Sequence, residues 1–178
     1  MFNIMRKIHL PLIREDITKL KAGDEVLLSG IIYTARDQAH KRLCEYVKQG
    51  KKLPIALKGN IIYYCGPTPA RKNMPIGACG PTTSKRMDEF TPLLLSKGII
   101  ATIGKGSRSK QVVDALKKNK AVYFVAPAGA GAYLSQRVKK AKLIAFNDLG
   151  PEAIYELEIS DFPVIVAIDS NGKSYPQQ

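Results

Sequence analysis

Three short segments of the 178-residue sequence carry side chains able to grip or react with a small anion. Thr34-Ala-Arg-Asp37 places Arg36 at the end of a strand pattern and the start of a helix pattern. The run GPTPARKNMPIGACGPTT, Gly66–Thr83, is dense in glycine and proline and leads into Ser84-Lys-Arg-Met-Asp88. Ile103-Gly-Lys-Gly-Ser-Arg-Ser109 sets Lys105 between two glycines at another strand-to-helix turn. Taken together they supply three cations, Arg36, Arg86 and Lys105, and a threonine hydroxyl at a Gly/Pro loop. Two charge clamps at a fixed separation suit a small dicarboxylate, and a guanidinium holds a carboxylate by paired N–H bonds.

Each segment has a plainer reading beside the functional one. A connection longer than about 12–15 residues is uncommon in a compact domain unless it has work to do, which favours function for Gly66–Thr83. Thr82 or Thr83 can cap the helix expected to open near Thr83, leaving free N–H groups at a positive helix end. Arg86, four residues beyond Thr82, can then point back over that end. The plain alternative is an ordinary threonine cap with a solvated arginine. Arg36 lies where ligands bind in α/β sheets, outside the carboxyl ends of strands, or it is a surface arginine paired with Asp37. The GKG turn lacks the spacing of a phosphate loop.

The cysteines, Cys44, Cys65 and Cys79, show no CxxC spacing. They read as reduced, buried or incidental thiols rather than cluster ligands, with Cys65 and Cys79 flanking the loop. His40 follows Arg36 by four positions on the same helix pattern and reads as a surface residue, with a role at the site as the alternative.

These segments need elements to hold them. Val26–Ala35, Ile61–Cys65, Ile99–Ile103, Ala121–Ala126 and Lys142–Phe146 read as strands. Ile154–Ile159 and Val164–Ile168 read as two closing strands before a tight turn at Asp169-Ser-Asn-Gly172. Helix patterns cover Gln38–Gln49, the stretch from near Thr83 that Pro92 breaks or restarts before Gly98, Ser107 or Ser109 to Asn119, and Gly129 to about Val138. Alternating strands and helices predict an α/β domain. The run of strands at the end predicts a mixed sheet. The length predicts a single domain over 1–178.

Composition narrows the class. With 45% apolar residues and 24% charged residues the chain is neither disordered nor collagen-like. No apolar stretch approaches the roughly 20 residues that span a bilayer. The N-terminus lacks the apolar core of a signal peptide, so a cytoplasmic protein without a membrane partner is expected. The 28 Lys and Arg against 15 Asp and Glu leave +13. Residues 1–120 hold 23 and 9 of these, +14, and the remainder hold 5 and 6, −1. Such a local excess points to an anionic partner or a solvated basic face. A nucleic-acid-binding module is the rival reading. Against it, the sequence has no Trp, and its cations are not interleaved with aromatics as stacking platforms require.

In this order GDEVLLSGIIYTARDQAHKR, KGNIIYYCGPTP, GPTTSKRMD, GKGSRSKQVVDAL and LGPEAIYELEISDFPVIVAIDSNG resemble the β subunit, or C-terminal domain, of class I iron–sulfur fumarate hydratases and tartrate dehydratases. The resemblance runs from about Gly23 to Tyr175. It implies a three-layer β/β/α swivelling domain with a mixed sheet, and reversible hydration of a C4 dicarboxylate. It also implies a hetero-oligomer in which a 4Fe–4S cluster is bound by the α subunit and not by this chain. Carried onto this sequence, it implies Thr82 as catalytic base and Arg36, Arg86 and Lys105 as substrate ligands. Ser84-Lys85 departs from the small residues other members carry there and adds a charge beside the site. The loop Ala70–Ile76 is also divergent.

Overall fold

The computed structural model describes residues 5–176, so the outermost ends of the expected 1–178 domain lie outside the described residues. The described residues form seven strands in one mixed sheet, with five α-helices and two short 3-10 turns. The strands are β1 (Arg6–His9), β2 (Glu25–Thr34), β3 (Ile61–Tyr63), β4 (Ala101–Gly104), β5 (Val122–Val125), β6 (Val138–Ala145) and β7 (Ile154–Ile168). The helices are α1 (Arg14–Lys19), α2 (Asp37–Lys48), α3 (Thr91–Ser96), α4 (Lys110–Asn119) and α5 (Gly131–Ser135).

Strands β1 to β5 run parallel to their neighbours in the order β1-β2-β3-β4-β5. The long β7 runs antiparallel and pairs with β2 along one edge. Its other edge pairs with β6 and β5. The pairings β2-β3-β4-β5-β7-β2 therefore close on themselves, with β1 and β6 outside the ring.

Side chains of successive strand residues point to opposite faces, and here both faces are dry. Ile61, Tyr63 and Cys65 enter one core with Val26, Leu28, Ile103, Phe124, Phe162 and Val164. Ile62 and Tyr64 enter a second core, where Leu43 of α2, Leu95 of α3 and Leu116 of α4 cover the sheet. A strand buried on both faces reads as a continuous apolar run, which is why KGNIIYYCG carries no alternation.

Several expectations need correction. The helix expected from Thr83 is instead a four-residue 3-10 turn, Ser84–Met87. Helicity restarts at Thr91 with Pro92 in the first turn, where its missing N–H leaves no bond unmade. The helix expected over Gly129–Val138 shortens to α5, and Val138 already begins β6. The two closing strands are one, β7. Asp161 in its middle adopts a left-handed φ of 47°, and that kink accounts for the interrupted pattern. Strand β1 and helix α1 had no counterpart in the expectations, being short. The turn at Asp169–Gly172 is as expected, with Asp169 Oδ1 accepting from the N–H of Asn171 and of Lys173. His40 is not a surface residue: it is buried at 1% exposure.

Candidate active site

The parallel order of β2, β3 and β4 sets their carboxyl ends side by side, and the pairing continues past each strand. Ala35 N–H donates to Tyr63 O at 3.0 Å, and Tyr64 N–H donates to Ile103 O at 2.8 Å. The turns that follow are those bearing Arg36, the Gly66–Thr83 loop and Lys105. The loop folds back on itself: Thr68 N–H donates to Ala78 O and Gly77 N–H to Thr68 O. Thr82 N–H then donates to Tyr64 O at 2.8 Å. Thr83 forms a parallel bridge with Lys105, and Ser84 N–H donates to Lys105 O at 3.0 Å.

Thr82, Arg86 and Arg36 share one cluster. Arg86 donates from Nη2 to Thr82 Oγ1 at 2.9 Å. It also grips Asp37 by two bonds, Nε to Oδ1 at 2.9 Å and Nη2 to Oδ2 at 3.1 Å. Arg36 Nε lies 3.4 Å from Asp37 Oδ2 and 3.4 Å from Glu152 Oε1. Glu152 Oε1 in turn accepts from Gln38 N–H at the start of α2. Burial pushes the Asp37 carboxyl up, but its bonds to Arg86, to its own backbone and to Arg36 outweigh this and hold it below the usual value. The same pair raises Arg86. Arg36 thus has the Asp37 partner of its plainer reading, yet inside the cluster rather than alone on a surface.

Lys105 makes no hydrogen bond or ion pair with Arg36, Thr82 or Arg86 among the described residues, and only its backbone reaches the adjoining Thr83 and Ser84. Its N–H donates to Ser84 Oγ at 3.1 Å. Its ammonium forms no hydrogen bond or ion pair among the described residues, and it lines a cleft of about 660 Å³ with Gly106, Val125, Ala126, Ile165 and Tyr175. The threonine cap did not materialise. Thr83 stands at the N-cap position without a side-chain bond, Thr82 Oγ1 serves Arg86, and a four-residue turn has little dipole to offer. Ser109, by contrast, caps α4 as one of the expected alternatives, accepting from Val112 N–H.

Beneath the cluster lies a set of residues that the sequence patterns missed. The Arg108 guanidinium is fully buried, with Nε donating to Asp88 Oδ1 at 2.7 Å and Nη2 to Thr91 Oγ1 at 2.8 Å. It stacks over the Tyr64 and Tyr123 rings at 5.2 and 4.8 Å. Asp88 Oδ2 also accepts from Ser109 N–H. The Tyr123 hydroxyl lies 2.8 Å from both Ser84 Oγ and Gly106 O. A buried charge is tolerable only when paired and bonded, so this network ties the 3-10 turn to the GKG turn. The one available signal was Arg108 within GKGSRS. Nothing in a linear pattern distinguishes a buried arginine from a solvated one.

The three thiols are buried, Cys65 and Cys79 in one core and Cys44 in the other. Burial pushes Cys44 up to about 11 and Cys79 up to about 12, and raises Cys65 well above its ordinary value. Among the described residues no three His, Cys, Asp or Glu side chains group as metal ligands.

The family model described as "Fumarase C-terminus" matches residues 3–178. A protein of Methanocaldococcus jannaschii, provisionally named L(+)-tartrate dehydratase subunit beta, is 42% identical over 169 residues, covering 92% of this chain and 87% of that one. "Fumarate hydratase class I, anaerobic" of Escherichia coli is 37% identical over 164 residues, covering 91% of this chain but 30% of that protein. "Fumarate hydratase 2" of Leishmania major is 37% identical, with 90% and 28% covered. The chain therefore spans most of the tartrate dehydratase subunit and under a third of the two fumarate hydratases. The chain belongs to the fumarase C-terminus family.

Proposed function

We propose that this chain is the β subunit of a hydro-lyase that reversibly hydrates or dehydrates a C4 dicarboxylate, fumarate to malate or tartrate to oxaloacetate. Its partner is an α subunit carrying a 4Fe–4S cluster, and the complex works in the cytoplasm. In this reading residues 1–178 form one three-layer β/β/α domain, the sheet folded over its inner core and the helices packed outside. The observation that carries the reading is the hydrogen-bonded set Thr82–Arg86–Asp37–Arg36 at the carboxyl ends of adjacent parallel strands, with the Lys105 backbone bonded to the next residues along.

The chemistry of this chain's own residues follows from charge. Removing a proton from the carbon beside a carboxylate builds negative charge on that carboxylate. Arg36, Arg86 and Lys105 bind the two carboxylates and stabilise that charge, an effect worth roughly 3 kcal/mol for each well-aimed donor. Thr82 takes the proton on Oγ1. A free threonine hydroxyl is a poor base. The Arg86 Nη2 bond to that oxygen favours its deprotonated form. In this reading the α subunit holds the cluster, which would supply the Lewis acid for the departing hydroxyl.

The test is reconstitution without oxygen. The chain alone should be inactive, and co-expression with the α subunit should yield turnover of a C4 dicarboxylate. In that complex, Arg36→Ala and Arg86→Ala should each lower kcat/KM by about 100-fold, and Thr82→Ala should lower kcat at least as much. Variants with undiminished turnover refute the site. Tight oligonucleotide binding with a steep salt slope would instead establish the nucleic-acid alternative.

A further inference from the structure

We propose that Asp37 is the positioning residue of this site, holding Arg36 and Arg86 in register for one diacid. The proposal rests on the function proposed above. Asp37 is the only side chain among the described residues that bonds both guanidiniums. It takes Nε of Arg36, and Nε with Nη2 of Arg86. That leaves both Nη nitrogens of Arg36 and Nη1 of Arg86 without a hydrogen-bond partner among the described residues. The two Nη nitrogens of Arg36 can grip one carboxylate bidentately, and Nη1 of Arg86 can add a single bond.

The second proton of Arg86 Nη2 goes to Thr82 Oγ1, so the carboxylate that orients Arg86 also orients the hydroxyl. Asp37 can serve because its backbone is fixed. It opens the 12-residue α2, whose inner face is anchored by the buried Ala39, His40 and Leu43. His40 N–H and Nδ1 both bond Arg36 O, at 2.8 and 3.0 Å. Glu152 makes an equally long contact, 3.4 Å, but to Arg36 Nε alone.

The opposite role is a competitor: a protein carboxylate that substrate must displace. The two roles predict opposite effects of Asp37→Asn, which keeps the size and removes the charge. Positioning predicts a KM for the dicarboxylate raised at least tenfold in the reconstituted complex, a smaller fall in kcat, and partial recovery in Asp37→Glu. Competition predicts a lowered KM. A second measurement needs no activity: side-chain nitrogen NMR of the full isolated chain. The Nε–H groups of Arg36 and Arg86 should exchange slowly in the native chain and faster than it in Asp37→Asn. Unchanged exchange, or an unchanged or lowered KM, overturns the proposal. If the native complex turns over no C4 diacid, the proposed function fails, and the exchange rates still decide whether Asp37 holds the two guanidiniums.

Discussion

At the scale of single residues, the informative side chains are those whose neighbours change their chemistry. His40 is the clearest. Burial pulls its pKa from 6.5 down to about 4, a backbone bond to Arg36 opposes this, and the Arg108 charge adds to it. A depressed histidine pKa means that the unfolded chain binds a proton that the folded one refuses. Its contribution is present in full above about pH 6.5 and is lost as pH falls toward 4. Between pH 7 and 4.5 the native chain should lose more stability than His40→Gln by on the order of 2–3 kcal/mol. Urea denaturation at the two pH values measures this, and equal losses refute it. The sequence marked Arg36, Thr82, Arg86 and Lys105 as candidates because glycine, proline and strand-end placement are local signals. It could not mark Asp37, Asp88 or Arg108. Their importance comes from partners far away in the chain, as in the Arg86–Asp37 and Arg108–Asp88 pairs.

At the scale of elements, the site depends on close approach between turns. Gly66 follows β3, and a Cβ there would meet Arg36 Cδ and Nη1 at 2.8 Å and Pro151 O at 3.2 Å. The arginine therefore lies across bare backbone. Gly66→Ala should push the Arg36 side chain aside and raise the KM for the dicarboxylate about tenfold, an order-of-magnitude figure for one misaligned clamp. Thermal unfolding should change little, because the side chain can give way. A large loss of stability with unchanged KM would contradict this account. Most central strands and helices were legible, because Val26–Ala35 and Gln38–Gln49 carry strong apolar patterns. Those misread were short or tertiary in origin. The turn after Thr83 looks helical by composition. Ser84 instead spends its side chain on Lys105 N–H, and Asp88 spends its own on Arg108.

At the scale of the whole molecule, two cores share one sheet. Cys65 and Cys79 lie in the core inside the ring, and Cys44 lies in the core under the helices. If residues 1–178 fold as one cooperative domain, the three thiols become reactive together. A thiol reagent added across a denaturant titration should find none accessible in the native chain and all three released in a single transition. Early release of Cys44 alone would show that the helical layer melts separately. The mixed sheet could be anticipated from the closing run of strands. The closure could not, because Glu25 pairing with Ile165 leaves no local trace. That closure also bears on biosynthesis. Every residue assigned to chemistry here leaves the ribosome before Ile154, yet the free edge of β2 is sealed only by β7. A nascent chain halted before that last strand would carry every proposed site residue on an unfinished scaffold with a sticky margin, a state that invites capture by chaperones or by another copy.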